Sequence, residues 1–277
     1  MLKKIVLTGA AGNLGKLLRG PLAGMCEELV STDIAEDLPG LADNERFVQA
    51  DLADMAQIRP LLEGAEMVVH FGAIVDELPF EQMWGPNFVG SYNIWQAGLE
   101  HGVRRIVYAS SIHAMGMYPK TVAIDAEMPK RPDTYYGLAK CFTEDLGRMF
   151  WEKEGLESVH LRIYSATSRP GNARALGSWL SPDDLVQLVT RAVDTPVVGF
   201  TVCYGVSNND RSPVDNSGAS HLGYRPKDNA ESFAAEILAE TGPADLSDLG
   251  QTCHGGPFAS AKLGVSPMAQ MGIPEDD

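Results

Sequence analysis

The sequence lacks several features that mark common classes of protein. No apolar run approaches the roughly 20 residues that a membrane-spanning helix needs, although 44% of the 277 residues are hydrophobic. Basic residues are few: 22 lysines and arginines stand against 37 acidic residues, for a net charge of −15. A chain with this charge is repelled by phosphate groups. We therefore expect neither nucleic acid nor an anionic membrane as a partner.

Cysteine is also scarce, and the cysteines are scattered. Cys26, Cys141, Cys203 and Cys253 form no Cys-x-x-Cys pair and no Cys/His ligand spacing. The sequence therefore predicts neither a disulfide framework nor a metal site, and we expect reduced, mostly buried thiols. Met1-Leu2-Lys3-Lys4 leads directly into a strand pattern instead of a leader peptide. A cytoplasmic location is the resulting expectation.

The most specific feature that is present is a glycine-rich stretch near the start of the chain. The apolar run Lys4–Thr8 leads into glycines at positions 9, 12 and 15. Glycine lets a pyrophosphate approach bare backbone N–H groups, and the helix that follows directs its positive end at the phosphates. Spaced glycines arise by chance among 28 glycines, but a preceding strand and a following helix are the context that dinucleotide binding requires. We predict that the cofactor is bound by Gly9, Ala11, Gly12, Asn13, Leu14 and Gly15.

An acidic residue about 20 positions further along the chain indicates which dinucleotide is bound. Asp33 ends the second predicted strand, where a carboxylate can accept both ribose hydroxyls of NAD and would repel the 2′-phosphate of NADP. Ser31 and Thr32, just before it, provide no cation for a phosphate. The other interpretation of Asp33 is a cap on the following turn. The sequence favours NAD as the cofactor.

The order of the apolar patterns predicts an α/β fold with a doubly wound parallel sheet of the Rossmann type. Strands are expected at 4–8, 28–33, 46–49, 67–71, 105–109 and 158–163, and helices at 14–25, 55–62, 85–101 and 135–154. We expect one domain over 1–277, in which residues 1–165 form mainly the NAD-binding core. Residues 166–277 are richer in Pro, Gly, Asn and Ser. They are expected to form a small C-terminal substrate lobe, with a tail that is only partly ordered beyond Gly242.

Two further strand ends are predicted to meet the cofactor, because ligands bind at the carboxyl edge of such sheets. Asp51 and Leu52 follow the third strand. The Asp51 carboxylate can meet the adenine amino group, or it can cap the helix near 53–62, and both interpretations stay open. The fourth strand ends in Phe71, Gly72 and Ala73, where small residues let a cofactor pass closely.

The reactive side chains are predicted to lie between Ser110 and Lys140. Ser110 and Ser111 follow the fifth strand, and Tyr136 precedes Lys140 by four positions on a predicted helix, so that phenol and ammonium share one face. An ammonium beside a phenol favours the phenolate, which is useful as a general base for a hydroxyl proton. Such a pair alone is usually a solvated helix face. The position of this pair after a dinucleotide loop and a strand-end serine favours a catalytic role. We predict that the catalytic residues are Tyr136, Lys140 and Ser111. The cofactor is also expected to contact Ser110, Tyr136 and Lys140.

These motifs resemble the extended short-chain dehydrogenase/reductase family. That family carries Thr-Gly-x-x-Gly-x-x-Gly, a strand-end serine and Tyr-x-x-x-Lys, and all three motifs are present here. Asn87 and Asn93 are similar to its Asn-x-x-Gly-x-x-Asn helix, in which the first asparagine supports the active-site strand. On this basis Asn87 is expected near the cofactor. The resemblance also implies that subunits pair through helices such as 85–101 and 135–154, and therefore a homo-oligomer.

A narrower resemblance, to the uronate dehydrogenases of this family, covers nearly the whole chain. It rests on stretches outside the general motifs, among them Trp179-Leu180-Ser181-Pro182-Asp183-Asp184, Leu222-Gly223-Tyr224-Arg225-Pro226 and Gly255-Gly256-Pro257-Phe258. It implies NAD-dependent oxidation at C1 of a cyclic acidic aldohexose, a uronate such as glucuronate or galacturonate, to the aldarolactone. The implied substrate-binding residues are Val75, Ser111, Ile112, His113, Tyr136, Ser165 and Arg174, with Arg174 holding the sugar carboxylate.

Several positions depart from the pattern of the uronate dehydrogenases, and they fall in the implied pocket. Val75 stands where a serine is expected, Ile112 where an asparagine is expected, and Tyr164 where a glycine is expected. Ser212-Pro213 replaces a Trp-Trp pair. Loss of hydrogen bonds to buried sugar hydroxyls would cost about 1–3 kcal/mol each. The sugar can therefore differ in its stereochemistry or in its acidic group.

Three alternatives stay open on the sequence. A dehydrogenase for a 6-sulfonated aldose such as sulfoquinovose would also need an arginine, whereas one for a neutral aldose would not. The extended fold is equally common among NAD-bound sugar epimerases and dehydratases. A non-catalytic nucleotide sensor would have no need of a Tyr-x-x-x-Lys pair beside a strand-end serine.

Overall fold

The computed structural model describes residues 1–242 and 245–270. Its centre is a seven-stranded sheet in the order β3-β2-β1-β4-β5-β6-β9, with every neighbouring pair parallel. These strands are β1 (Leu2–Thr8), β2 (Cys26–Asp33), β3 (Glu45–Gln49), β4 (Met67–His70), β5 (Arg105–Tyr108), β6 (Glu157–Ile163) and β9 (Phe200–Gly205). Two short strands, β7 (Ser165–Ala166) and β8 (Trp179–Leu180), pair beside the sheet. The predicted α/β class and parallel sheet are confirmed.

Helices connect the strands and cover both faces of the sheet. They are α1 (Asn13–Ala23), α2 (Met55–Leu62), α3 (Phe80–Met83), α4 (Gly90–Glu100), α5 (Tyr135–Glu154), α6 (Pro182–Asp194), α7 (Ala234–Thr241), α8 (Leu249–Thr252), α9 (Pro257–Ser260) and α10 (Pro267–Gln270). Short 3-10 turns lie at Ile112–Met115, Ala173–Gly177, Ser217–Leu222 and Ala230–Phe233. The six predicted strands and the helices α1, α2 and α5 agree with the structure to within two residues at each end.

The alternation of side chains along β1 builds the two halves of the core. Ile5 and Leu7 point to the face covered by α1 and α6, whereas Val6 points to the face covered by α2, α4 and α5. All three side chains are fully buried. Because side chains of a strand alternate between faces, an apolar residue at every position is what a central parallel strand requires. The sheet is thereby fixed as a rigid base whose carboxyl edge carries the loops described below.

The helix predicted at 85–101 is not continuous. The chain forms a wide π-type turn over Trp84–Val89 and only then the regular helix α4. Pro86 lies inside the turn and has no N–H to donate to the preceding turn, and the Gly90 N–H reaches five residues back to the Gly85 carbonyl. This wider turn contains Asn87, whose side chain contributes to the site described below.

The C-terminal part of the chain adds more to the sheet than its composition indicates. Residues 166–277 are expected to form mainly a small substrate lobe and a tail, yet α6 packs on the sheet and β9 extends it beside β6. The strand is short and apolar, and the Gly-, Pro- and Asn-rich segments on either side obscure it. Residues 249–266 also return to the carboxyl edge of the sheet, where Gly264 donates its N–H to Glu77 at 2.8 Å. Residues 243–244 and 271–277 of the expected tail lie outside the described residues.

Two further sequence predictions can be compared with the structure. Each of the four cysteines is buried and none forms a disulfide, as predicted. Among the described helices, none is both long and apolar enough to cross a membrane.

Candidate active site

The glycine-rich loop between β1 and α1 forms a cradle that has no room for side chains. Gly9 adopts φ +71°, and a Cβ there would lie 2.6 Å from the backbone nitrogen of Gly72. A Cβ on Gly15 would overlap the carbonyl oxygen of Gly9. Gly12 is exposed and forms the N-cap of α1 without a side-chain cap, so the first N–H groups of the helix face outward. Bare backbone at a helix N-terminus fits a dinucleotide pyrophosphate.

The other loop residues predicted to bind the cofactor lie around this cradle. Asn13 is exposed, whereas Ala11 and Leu14 are half-buried against the core. Ala11 donates its N–H to the Asp33 carboxylate at 3.0 Å, and the Ala35 N–H lies 3.2 Å from the other carboxylate oxygen. Asp33 thus holds the loop in place and caps the turn after β2, and its carboxylate oxygens have further acceptor positions.

The two residues after β3 have different environments. Asp51 is exposed and accepts the Ala53 N–H at 2.8 Å. The cap of α2 is Asp54, which accepts the Ala56 N–H at 2.9 Å. The interpretation of Asp51 as the helix cap is therefore wrong, and its exposed carboxylate stays a candidate for the adenine amino group. Leu52 is buried and packs against both Gly72 and Gly90.

The loop after β4 passes directly over the glycine cradle. Phe71, Gly72 and Ala73 are half-buried, and Gly72 donates its N–H to the Thr8 hydroxyl at 3.0 Å. The Asn87 amide both donates to and accepts from the backbone of Ile74, at 2.9 Å in each case. Asn87 therefore supports this loop and not the active-site strand β5, which corrects the role that the resemblance implied. The predicted cofactor wall is held by hydrogen bonds from two separate elements.

A buried ion pair supports the strand end of β5. The Ser110 hydroxyl donates to Glu144 at 2.7 Å, and Arg162 donates to both oxygens of the same carboxylate at 2.8–2.9 Å. Burial alone would raise the pKa of Glu144, but the hydrogen bonds and charge of Arg162 outweigh it and lower the pKa. The Ser110 hydroxyl proton is thus bound by a structural carboxylate, and the backbone that carries Ser111 is held in place.

Tyr136 and Lys140 share one face of α5, as predicted, and both are buried. The Lys140 ammonium donates to the Ala109 carbonyl at 2.7 Å and lies 5.1 Å from the centre of the Tyr136 ring. Burial lowers the pKa of Lys140 to about 7, against the opposing charge of Glu144. Burial raises the pKa of Tyr136, and a hydrogen bond from Ser111 only partly opposes this.

Burial, and not the charge of Lys140, dominates the pKa of Tyr136. The sequence indicated an ammonium that lowers the pKa of Tyr136, yet desolvation of the phenol dominates and raises it. Lys140 directs its ammonium at a carbonyl oxygen of the β5 end and not at the phenol oxygen. The phenolate would need a further positive charge beside the ring.

His113 faces Tyr136 and is oriented by a buried carboxylate. Its Nδ1 donates to Asp133 at 2.8 Å, and its ring lies 5.5 Å from the Tyr136 ring in an edge-on arrangement. Asp133 also accepts the Thr134 hydroxyl at 2.8 Å. Nδ1 carries a proton in this bond, and Asp133 thereby sets the orientation of the His113 ring. Phe258, from the C-terminal segment, covers the other side of the His113 ring at 4.1 Å between ring centres.

Arg174 lies in the 3-10 turn Ala173–Gly177, beside the short strand that holds Ser165. The guanidinium packs against Gly256, where a Cβ would lie 2.8 Å from Cζ. Over residues 1–242 and 245–270, the ion pairs of the protein do not include Arg174, although acids outnumber bases in the chain. Burial lowers the pKa of Arg174, with Tyr164 acting against this. A half-buried arginine without a carboxylate partner is suited to an anionic ligand.

The positions that depart from the uronate dehydrogenase pattern are divided between surface and core. Val75 is 53% exposed, on the loop that follows β4. Ile112 and Tyr164 are buried together with Tyr204 in one apolar cluster. The Tyr164 hydroxyl lies 2.6 Å from His254 Nδ1. The larger side chain at 164 is thus accommodated by a partner in the C-terminal segment.

Several residues of this region escaped the sequence analysis. Asp133, His254 and Phe258 were not predicted to belong to the site, and neither was Glu77, which is fully buried and accepts the Tyr136 N–H at 3.0 Å. The stretch Gly255-Gly256-Pro257-Phe258, which carries part of the resemblance, was a signal for this region. A Cβ on Gly255 would overlap the Asp133 carboxylate, and Gly256 has φ +62°. No cluster of three or more His, Cys, Asp or Glu side chains suited to a metal ion occurs among the residues that the structure describes.

The arrangement combines a dinucleotide cradle with a Tyr–Lys pair at the same sheet edge. Residues 5–177 match the NAD dependent epimerase/dehydratase family. The chain belongs to this family. The predicted resemblance to extended short-chain dehydrogenases/reductases is thereby confirmed, and the matched residues include the glycine cradle, Tyr136 and Lys140.

Relatives of similar length narrow the comparison. The chain is 45% identical to a uronate dehydrogenase from Pseudomonas putida over 93% of this chain and 96% of that protein. It superimposes with a TM-score of 0.91 on the structure of uronate dehydrogenase from Agrobacterium tumefaciens complexed with NAD, at 42% identity over 95% of this chain and 98% of that one. The structure of a glucuronic acid dehydrogenase from Chromohalobacter salexigens gives a TM-score of 0.91 at 38% identity, over 95% and 98% of the two chains. The predicted similarity to uronate dehydrogenases is confirmed.

Proposed function

We propose that the protein is an NAD-dependent sugar dehydrogenase that oxidises C1 of a cyclic uronate to the lactone. The observation that carries the proposal is Arg174, a half-buried arginine with no ion pair among the described residues. Its guanidinium packs against Gly256 of the C-terminal segment, and Phe258 of that segment covers His113 beside Tyr136. The similarity to dehydrogenases named for uronate and glucuronic acid supports an acidic sugar at this place.

The residues of this chain divide the reaction between them. The C1 hydroxyl proton passes to the Tyr136 phenolate while Ser111 donates a hydrogen bond to that oxygen, and the C1 hydride leaves as the C1–oxygen double bond forms. His113 offers Nε2 as an acceptor to a neighbouring hydroxyl. Arg174 binds both oxygens of the carboxylate through its planar fork. Ser165, Val75 and Ile112 stay proposed as further contacts of the sugar.

The cofactor proposed for this site is NAD. When bound, NAD⁺ supplies the hydride acceptor and a positively charged ring that favours the phenolate of Tyr136. The glycine cradle would hold the pyrophosphate, Asp33 the ribose hydroxyls, and Asp51 the adenine. The wall behind the cofactor would be formed by Leu52, Phe71, Gly72 and Ala73. Asp33→Asn is expected to narrow the preference for NAD over NADP in titrations of the two cofactors, because it removes the charge that repels a 2′-phosphate.

The direct test is a panel of uronates, 6-sulfonated aldoses and neutral aldoses with NAD⁺, followed by the absorbance of NADH. We expect turnover of a uronate, and Arg174→Ala should raise its KM steeply while changing the matching neutral aldose little. Arg169→Ala, which removes an exposed arginine paired with Glu236 and Glu240, is the control. An epimerase or dehydratase would give no net NADH, and a nucleotide sensor would bind NAD without turnover of any sugar. Equal losses for both sugars would make Arg174 structural.

We also propose a homo-oligomer that pairs through α4 and α5. Large apolar side chains on these helices and the turn before them are exposed, namely Trp84, Tyr92, Leu138, Phe142 and Met149. An apolar surface of this kind is unusual on a monomer. Light scattering after size exclusion would measure the mass, and a monomer of 29.9 kDa at micromolar concentration would overturn the proposal.

A further inference from the structure

Lys120 packs against the same C-terminal segment that covers Arg174. Its N–H donates to the Thr252 carbonyl at 2.8 Å, next to an antiparallel bridge between Pro119 and Cys253. Its ammonium donates to the carbonyl oxygen of Arg174 at 3.0 Å. Both cationic residues therefore contact residues 252–256, and the charge of Arg174 acts on Lys120.

The Lys120 ammonium uses one of its three donors, and it forms no ion pair with an acidic side chain of the described residues. Lys120 is half-buried. Among the described residues its ammonium has one hydrogen-bond partner, the backbone carbonyl of Arg174. The ion pairs of residues 1–242 and 245–270 leave out Lys120 as well as Arg174. Burial, and then the charge of Arg174, lower the pKa of Lys120 to about 8, so the ammonium is still mainly charged at neutral pH.

The neighbouring polar groups do not compensate this charge. His254 lies on the same segment, where Nδ1 faces the Tyr164 hydroxyl at 2.6 Å and Nε2 faces the Val122 carbonyl at 3.1 Å. Since Nε2 must donate to that carbonyl, the ring is neutral when Nδ1 accepts from Tyr164. Two adjacent cations without a counterion in a chain of net charge −15 mark a place for an external anion.

We propose that Lys120 is a second cationic group of the acid subsite, and that the subsite accepts a tetrahedral sulfonate on C6 of the sugar. The proposal rests on the sugar dehydrogenase function proposed above. A carboxylate has two oxygens, which the planar fork of Arg174 satisfies. A sulfonate has three oxygens in a pyramid, and the third needs a donor outside that plane. A lysine ammonium, with three donors on a flexible stem, meets this need.

The distance between C6 and the anionic oxygens distinguishes a sulfonate from a phosphate ester. In a 6-sulfonated aldose the sulfur is bonded directly to C6, so its oxygens lie about one bond beyond those of a uronate. In a 6-phosphate an ester oxygen intervenes, and the anion moves further out by one more bond. Because the Lys120 ammonium bonds to the backbone of Arg174 and lies within reach of the Arg174 charge, one shared anion position is favoured over an extended one.

The test compares wild type with Lys120→Gln on a uronate, a 6-sulfonated glucose, glucose 6-phosphate and glucose. Loss of one charge-assisted hydrogen bond predicts a fall of about 10- to 100-fold in kcat/KM for the sulfonated sugar, mainly through KM. The uronate should lose only a few-fold and glucose nothing. Lys120→Arg should keep most of the sulfonate activity. Lys262→Gln, which removes an exposed lysine of the same C-terminal segment, should leave all four sugars unchanged.

Other outcomes would overturn the proposal. Equal losses for all sugars in Lys120→Gln would assign Lys120 a structural role, and a wild type that prefers the 6-phosphate would place the anion elsewhere. Turnover of uronates alone, unaffected by Lys120→Gln, would refute this inference and leave the proposed function intact. If wild type oxidises no sugar, the proposed function fails, and calorimetry with the sulfonated sugar then decides on Lys120. Tighter binding to wild type than to Lys120→Gln would support the subsite, and equal or absent binding would refute it.

Discussion

The Tyr164 hydroxyl donates to His254 Nδ1 at 2.6 Å and thereby joins the end of β6 to the C-terminal segment. His254 also contacts a third segment, because its Nε2 donates to the Val122 carbonyl at 3.1 Å. Both side chains are buried. The residues that follow, Gly255 and Gly256, contact Asp133 and Arg174. One hydrogen bond thus influences both ends of the proposed sugar pocket.

Replacement of Tyr164 by phenylalanine should therefore affect stability and substrate binding together. The change leaves buried His254 Nδ1 without its donor, which predicts a loss of about 1–3 kcal/mol in the free energy of unfolding. The KM for the acidic sugar should rise while kcat changes less. Urea unfolding and steady-state kinetics measure the two effects. Tyr118→Phe, which removes a hydroxyl bonded to the Pro129 carbonyl at the surface, is the control. An unchanged stability of Tyr164→Phe would contradict the role of this bond.

His254 should also make the protein sensitive to acid. Burial lowers the pKa of His254 from 6.5 to about 4. Between these values the unfolded chain binds a proton that the folded protein does not, so stability is full above about 6.5 and falls as the pH drops toward 4. His254→Asn should flatten this part of the curve. Urea midpoints across the range give the measurement, and parallel curves for the two proteins would show that other groups dominate.

Tyr136→Phe should abolish turnover and leave NAD binding nearly intact, because only the proton acceptor is lost. Its neighbour offers a matched control: Tyr135 packs edge-on against Phe80 and is not assigned to the reaction. Tyr135→Phe should keep most of the activity. Rates by NADH absorbance and affinities by fluorescence titration separate the two effects. Substantial turnover in Tyr136→Phe would mean that another group is the base.

Glu144→Gln tests the buried pair beneath the strand end of β5. Removing this charge leaves Arg162 buried without its counterion and predicts a loss of about 3–5 kcal/mol in unfolding free energy. Glu152→Gln removes the acid of an exposed pair with Arg148 and should change stability by about 0.5 kcal/mol or less. Chemical denaturation of both variants measures the difference. Similar small losses for the two would refute the structural role of Glu144.

Gly256→Ala should disturb the guanidinium of Arg174. Its Cβ would lie 2.8 Å from Cζ, and its φ of +62° disfavours any other residue. We expect a higher KM for the acidic sugar and little change for the neutral one. Gly171→Ala is the control on the approach to Arg174, because a Cβ there meets nothing within 4 Å. Unaltered kinetics in Gly256→Ala would imply that Arg174 can move freely without consequence.

Local patterns in the sequence determined the fold class, the parallel strands up to Ile163 and the motifs of the family. The glycine cradle and the Tyr136–Lys140 pair are recognisable because each is set by spacing over one turn or one helical face. The same local reasoning missed β9 and the π-type turn before α4. In both places Gly and Pro residues dominate the local signal, and only packing against β6 or the loss of the Pro86 N–H decides the outcome.

Tertiary structure alone decided the electrostatics and the far wall of the site. Spacing placed Lys140 beside Tyr136, but burial, which no sequence pattern encodes, raises the pKa of the phenol and lowers that of the amine. The contacts of Lys120 with Arg174 and of Tyr164 with His254 join residues 54 and 90 positions apart. Such contacts follow from where the C-terminal segment returns over the sheet edge. They depend on the folded chain as a whole, and therefore leave no periodic trace in the sequence.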